Sequence, residues 1–171
     1  MRDRFFNLYV DIKVAERYYC HYVKRSVIWN NIITAIGLIT SAATISSWAI
    51  WGSLSLVWAV AIASSQVLTV LRPLLKSSAR LSAAKYLIPE MARLLDDLSS
   101  TWDELNYVHI YSDLEIHEIM QKYMQRYTDV REKYAPSELF PEKPALLKRA
   151  QVDAQHYFSI QYHSSQEETT T

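Results

Sequence analysis

The chain has 171 residues, with 18 basic and 18 acidic side chains. A balanced charge gives no support to nucleic-acid binding, and we expect no direct nucleic-acid partner. Two glycines are too few for the turns of a β-rich protein. The single cysteine, Cys20, excludes an internal disulfide and a cysteine-based metal cluster. The composition therefore predicts an all-α protein.

The balanced total hides a segregation of charge along the chain. Residues 1–25 carry six basic and three acidic residues, and residues 72–85 carry four basic residues and no acid. Residues 86–171 carry eight basic and 15 acidic residues. Basic charge is thus concentrated on both sides of one long neutral stretch.

Residues 1–25 are predicted to form an amphipathic helix in which aromatic residues alternate with basic ones. Phe5, Phe6, Tyr9, Tyr18 and Tyr22 belong to this aromatic set. Aromatic and basic side chains together suit a membrane surface, and they equally suit packing against another cytoplasmic helix. Both interpretations stay open from the sequence.

The neutral stretch runs from Ser26 to Leu71 without any Asp, Glu, Lys, Arg or His. A bilayer core about 30 Å thick needs about 20 helical residues, so the stretch is long enough for two crossings. We place them at about Val27–Trp48 and Ser53–Leu71, within a predicted membrane hairpin of residues 26–72. A cleaved signal peptide is disfavoured because a second apolar stretch follows the first at once.

Tryptophans and basic residues indicate the orientation of this hairpin. Trp48 and Trp51 flank the connecting turn, which carries no charge, and indole rings favour the headgroup level. Lys24 and Arg25 precede the first span and Arg72 follows the second. The positive-inside bias therefore predicts a multi-pass protein with both termini in the cytoplasm.

The region 73–135 is predicted to be a cytoplasmic helical hairpin that resembles a coiled coil. Its first helix runs to about Val108, and Pro89 is expected to kink it locally. A stripe with alternating spacings of three and four residues is typical of helix packing and predicts an assembly seam in an oligomer. The seam consists of Leu81, Ile88, Met91, Leu95, Leu98, Trp102 and Leu105.

The second helix of this region is predicted to begin near Ser112. Ser112 and Glu115 have the spacing of a capping box, and Pro136 ends the helix. Its own apolar stripe is expected to face the first helix in an antiparallel hairpin, within one subunit or between subunits. Residues 136–171 are predicted to hold a proline-rich linker, a short helix over 145–162 and a disordered polar tail.

The search for catalytic chemistry finds no candidate. Two glycines cannot build a glycine-rich phosphate loop, and the five histidines lack metal-ligand spacing on one helix face. The paired acids Asp96–Asp97 and Asp103–Glu104 are typical of a solvated helix face. We therefore predict no enzyme activity, no cofactor and no metal site.

The informative polar residues lie inside the neutral stretch. Asn30, Thr34, Gly37, Ser41 and Thr44 share one face of the first span. On the second span, Gln66 continues a partly small stripe with Ser55, Ala59 and Ala63. These residues either pack the two helices together or line a path through an oligomer, and the sequence leaves both interpretations open.

The residues that follow the second span are candidates for gating. Arg72, Pro73, Lys76 and Arg80 join this span to the long helix, so they are placed to transmit a signal. Ordinary anchoring at the membrane edge is the alternative role. No carboxylate lies between Trp48 and Ser55, which argues against a divalent-cation channel.

The layout of the chain resembles the SLATT family of two-transmembrane effector domains in bacterial nucleotide-signalling systems. The resemblance covers about residues 5–130. It is carried by the AERYY segment at Ala15–Tyr19, Lys24–Arg25 at the membrane edge, the two spans, Arg72–Pro73 and the helix from Ser77 to Leu105.

The resemblance implies a pore-forming or membrane-disrupting effector of antiphage defence in the bacterial inner membrane. It implies a homo-oligomer in contact with membrane lipids, together with a partner protein that senses infection or makes a nucleotide signal. Two alternatives remain at this stage: a non-conducting anchor or scaffold for a defence or signalling complex, and a holin-like phage protein.

Overall fold

The computed structural model describes residues 1–50, 60, 63, 64, 66, 67, 77–107 and 111–167. Side chains are described for 1–38, the five isolated positions, 79–107 and 111–161. Within these residues the protein is all-α, with helices α1 (Arg2–Ile50), α2 (Ser77–Tyr107), α3 (Asp113–Tyr134) and α4 (Pro144–Glu167). The predicted all-α class is confirmed.

The chain divides into two compact units. Unit 1 consists of Met1–Tyr22 and Ser82–Thr171, and unit 2 of Val23–Leu81. Helix α1 contributes its first part to unit 1 and the remainder to unit 2. Unit 1 contains the predicted segment 136–171 and most of the predicted segments 1–25 and 73–135.

The N-terminal part of α1 forms the centre of unit 1. Phe5, Tyr9 and Ile12 are fully or almost fully buried. The ring centroids of Phe6 and Trp102 of α2 are 5.0 Å apart, and so are those of Tyr9 and Phe158 of α4. The aromatic face of α1 therefore packs against α2 and α4 through tilted and edge-to-face ring contacts. Of the two interpretations of this face, the structure supports packing against other helices.

Helices α2 and α3 form an antiparallel hairpin within one chain. Tyr86 stacks on Tyr134, and Arg126 pairs with Asp97 at 2.9 Å. The hydroxyl groups of Thr101 and Tyr123 form a hydrogen bond of 2.8 Å. The residue number rises along α2 as it falls along α3, which establishes the direction.

The contacts of α1 establish the directions of the other helices. Contacts of α1 with α3 join Phe5 to Tyr123 and, further along both helices, Tyr19 to Arg131, so α1 and α3 are parallel. Contacts with α4 join Tyr9 to Phe158 and His21 to Asp153, so α1 and α4 are antiparallel. Helices α2 and α4 therefore run against α1 and α3 in a four-helix unit.

These directions place two chain connections at the same end of unit 1. Tyr22, where α1 leaves the unit, and Ser82, where α2 joins it, both lie at the end of the unit that holds the C-terminus of α3.

The seam predicted on α2 is buried inside the single chain. Met91, Leu95, Leu98 and Leu105 are buried, and Leu81, Ile88 and Trp102 are half-buried. Leu87 and Leu94, which the heptad pattern omitted, are buried as well. A stripe that includes both extra positions is wider than a coiled-coil seam and is typical of a globular core helix. Pro89 is exposed and α2 continues through it.

The start of α3 confirms the predicted capping box. The Glu115 backbone N–H donates to the Ser112 hydroxyl at 3.3 Å, and the Ser112 backbone N–H donates to the Glu115 carboxylate at 2.8 Å. Helix α3 ends at Tyr134, before Pro136 as predicted. Helix α4 runs to Glu167, which is longer than the predicted 145–162 and includes the first residues of the predicted polar tail.

The linker between α3 and α4 is tied to α1 through one side chain. The Tyr18 hydroxyl donates to the Pro141 carbonyl at 3.0 Å and accepts from the Lys143 backbone N–H at 3.1 Å. Phe140 is buried against Tyr19 and Tyr22, with ring centroids 5.3 and 5.5 Å away. The segment predicted to be a linker therefore contributes to the core of unit 1.

Candidate functional site

The described part of the first predicted span has an exposed apolar surface. Ile28 is 58% exposed, Trp29 55% and Leu38 67%. The full set of exposed large apolar side chains in this part of α1 is Val27, Ile28, Trp29, Ile32, Ile36 and Leu38. Six such residues lie within twelve positions of α1, and large exposed apolar patches on proteins often mark contact with lipid or with another protein.

The predicted polar stripe lies on the opposite side of the same helix. Asn30, Thr34 and Gly37 are half-buried, while the apolar residues around them are exposed. At 100° per residue, these three positions fall about 180° from the centre of the exposed apolar set. This is the reverse of an amphipathic helix in water, where polar side chains are the exposed ones.

Hydroxyl groups in unit 2 bond to their own helices. Thr34 donates its hydroxyl to the Asn30 carbonyl at 2.8 Å, and Ser64 donates to the Val60 carbonyl at 2.7 Å. A hydroxyl that bonds four residues back needs no water and no partner helix for that bond. The stripe therefore has a way to satisfy polar groups in apolar surroundings.

A Cβ atom placed on Gly37 would meet nothing within 4 Å among the described residues.

The remaining predicted site residues are only partly described. Ser41 and Thr44 lie on α1, but their side chains are outside the described residues. Gln66 is helical and exposed, and Arg80 is half-buried. Arg72, Pro73 and Lys76, with the outer turn and most of the second predicted span, lie outside the described residues. No helix in the described parts of the chain is long and apolar enough to cross a membrane.

A cavity in unit 1 was not foreseen from the sequence. It has a volume of about 380 Å³ and lies between α1, α3, the linker and the start of α4. Tyr18, Tyr19, Tyr127 and Arg131 line it, together with Lys143 of the linker. The spacing of Tyr127 and Arg131, one helical turn apart, was the sequence feature that could have indicated this cavity. Nothing in the sequence places these two residues opposite Tyr19.

The tyrosines of the cavity stay protonated well above neutral pH. Burial raises the pKa of Tyr19 to about 12, and a hydrogen bond with Arg131 opposes that rise. Burial also raises the pKa of Tyr127, while the charge of Arg131 lowers it and that of Asp11 raises it. At neutral pH both phenols are therefore hydrogen-bond donors.

Comparisons of this chain with protein-family models, with curated proteins and with solved structures found no match.

Proposed function

We propose that this chain is a membrane-inserted effector of a bacterial antiphage defence system. In the proposal, several copies assemble in the inner membrane through the segment of residues 26–72 and form a pore. Unit 1 lies in the cytoplasm and controls the pore in response to a partner protein or a nucleotide signal. The proposal assigns no catalytic residue and no cofactor.

The observation that carries the proposal is the exposed apolar surface between Val27 and Leu38. Full burial of one large aliphatic side chain gains about 1.5–3 kcal/mol, so six partly exposed apolar side chains together favour an apolar environment. The half-buried polar stripe of Asn30, Thr34 and Gly37 on the opposite face supports a helix with lipid on one side and protein or a path on the other.

The directions of the helices in unit 1 support the proposed topology. Tyr22 and Ser82 lie at the same end of unit 1, as expected if residues 23–81 cross the membrane an even number of times. Lys24 and Arg25 at one connection and Lys85 at the other carry positive charge, as the cytoplasmic side of a span does. Both termini are then cytoplasmic.

Adjacent asparagines offer a matched test of the polar stripe. Asn30 is half-buried on the stripe, whereas Asn31 is exposed on the apolar side. If the stripe lines a path, Asn30→Leu abolishes depolarisation of expressing bacterial cells and Asn31→Leu does not. A potential-sensitive dye reports the potential, and membrane fractionation checks that both variants insert equally.

Each outcome of this test decides something. Depolarisation by the wild type and by Asn31→Leu alone supports a path along the stripe, and Ser41→Leu with Thr44→Leu should then behave as Asn30→Leu does. Depolarisation by all variants would mean that the path does not run along the stripe. If the wild type never depolarises cells, even during phage infection with its neighbouring genes present, the pore is refuted.

The topology has a separate test because the chain contains one cysteine. Cys20 is half-buried in unit 1, and the proposal places it inside the cell. A membrane-impermeant maleimide should label a Ser53→Cys variant in intact cells and leave Cys20 unlabelled until the cells are lysed. Labelling of the wild type in intact cells would contradict the proposed orientation.

A non-conducting membrane anchor is the second candidate, and one observation favours it. The seam predicted for assembly is buried within one chain, so α2 does not offer Leu98 or Leu105 to another subunit. An anchor needs no oligomer. Crosslinking in native membranes separates the two candidates, because a species no larger than one chain cannot enclose a pore.

A further inference from the structure

The cavity of unit 1 has the size and lining of a small-molecule site. Its volume of about 380 Å³ falls in the range of known ligand pockets, about 300–1,000 Å³. Apolar walls come from Val14, Phe140, Pro144 and Leu147. A few polar groups converge among them, which is the usual composition of a site that orients a ligand.

Arg131 is the polar group best placed to receive an anion. Its guanidinium offers five N–H donors, and among the described residues it takes part in no ion pair within 4.0 Å. The hydrogen bond with Tyr19 uses only part of this capacity. The comparable arginine one turn and a half earlier on α3, Arg126, is already paired with Asp97.

The acidic side chains of the cavity do not cancel this charge where the tyrosines lie. For Tyr127, the influence of Arg131 exceeds that of Asp11, and for Tyr19 Arg131 is the charged side chain that acts. Glu142 acts on Tyr18 as the weakest of several influences. Around Tyr19 and Tyr127 the charge of Arg131 therefore outweighs that of the nearby acids.

The tyrosines define the shape of the ligand. The Tyr18 hydroxyl already donates to the Pro141 carbonyl and accepts from the Lys143 backbone N–H. Tyr19 and Tyr127 retain protonated hydroxyls beside Arg131. Tyrosine and phenylalanine rings on the walls favour offset or edge contacts with a planar ring.

We infer that this cavity binds a small planar anion, an aromatic ring with one acidic group, whose acid contacts Arg131, Tyr19 and Tyr127. Such a ligand would touch α1, α3, the linker and α4 together, so binding stabilises unit 1. The inference does not rest on the proposed membrane function, because the cavity lies within unit 1 and the test measures binding.

The test uses 2-naphthoate as the probe and 2-naphthamide, its neutral analogue, as the control ligand. The full chain is labelled with 3-fluorotyrosine, and Tyr→Phe variants assign the fluorine resonances of Tyr19 and Tyr127. We expect naphthoate to shift both resonances with a dissociation constant on the order of 1 mM or lower, as its size allows. Naphthamide should bind about tenfold more weakly, since it lacks the charge-assisted hydrogen bonds.

Two arginine variants complete the experiment. Arg131→Gln should weaken naphthoate binding about tenfold and leave naphthamide binding unchanged, whereas Arg126→Gln should change neither. If Arg131→Gln fails to fold, Arg131→Lys is used, and it should weaken naphthoate binding more than Arg126→Gln does, because lysine lacks the forked donors of arginine.

The inference is overturned by any of three results. The first is equal binding of naphthoate and naphthamide, which would mean that charge plays no part. The second is an equal loss in both arginine variants, which would indicate a general surface effect. The third is no shift of the Tyr19 and Tyr127 resonances at about 10 mM naphthoate, well above the affinity expected for a probe of this size.

Discussion

Leu98 allows the two roles of the α2 stripe, core or assembly seam, to be separated by one substitution. Its side chain is fully buried within a single chain. Leu→Ala at fully buried sites costs about 2.7–5 kcal/mol, and we expect Leu98→Ala to lower the free energy of unfolding of unit 1 by about 3 kcal/mol. Amide exchange along α2 should then accelerate about a hundredfold in conditions where exchange reports opening equilibria.

Hydrogen exchange with mass spectrometry on the full chain is the appropriate assay, because it follows peptides of α2 separately from residues 26–72. Leu114→Ala is the matched control: Leu114 is 69% exposed on α3, so its loss should change the free energy by no more than about 0.5 kcal/mol.

The dependence of the Leu98→Ala effect on protein concentration distinguishes a core position from a position between subunits. If Leu98 packs within one chain, the acceleration is the same at concentrations that differ about twentyfold. If it packs between subunits, unfolding is linked to dissociation, and the effect of Leu98→Ala changes with concentration. A concentration-dependent effect, or no acceleration at all, would refute the assignment of Leu98 to the core of one chain.

Four further predictions concern single residues of unit 1. Ser112→Ala removes the hydroxyl that caps α3 and should destabilise unit 1 by about 1 kcal/mol, measured by urea unfolding; an unchanged midpoint would contradict the capping role. The same cap lowers the pKa of Glu115, so its contribution is present above the ordinary glutamate pKa and is lost as the pH falls through the lowered value. Because burial raises the pKa of Tyr19 to about 12, this phenol favours folding below its unfolded pKa, near 10, and that contribution is lost as the pH rises towards 12. An ultraviolet difference titration against Tyr19→Phe should show one phenol that ionises near 12, and ionisation near 10 would be evidence against its burial. Pro89→Ala restores a backbone donor inside α2 and should stabilise the helix by up to about 3 kcal/mol; loss of stability would mean that the ring makes contacts the exposed position does not suggest.

Local features of unit 1 follow directly from the sequence because they depend on neighbours along the chain. The capping box of Ser112 and Glu115 needs only a spacing of three residues, and Pro136 ends α3 because it cannot continue the hydrogen-bond pattern. Four of the seven residues in the predicted apolar stripe of α2 are buried. Its period alone does not distinguish a seam between chains from a core face, and Leu87 and Leu94 decide for the core.

Long-range contacts are the part that the sequence does not reveal. Tyr18 bonds to Pro141 across 123 positions, and His21 meets Asp153 across 132. No local pattern carries such pairings, because they depend on the directions of four helices at once. The cavity beside Arg131 is built from the same distant segments, so the sequence could indicate its residues only as members of separate helices.

The insertion of residues 23–81 into the four-helix unit has a consequence for synthesis of the chain on the ribosome. The aromatic face of α1, with Phe5, Tyr9 and Ile12, emerges first, but its partners on α2 begin only after Leu81. At about 5–20 residues per second, the 59 intervening residues take about 3–12 s to translate. During that interval the face has no partner from α2, α3 or α4, so unit 1 can close only after the middle segment has been synthesised. The nascent chain therefore carries the aromatic face of α1 uncovered until α2 is made.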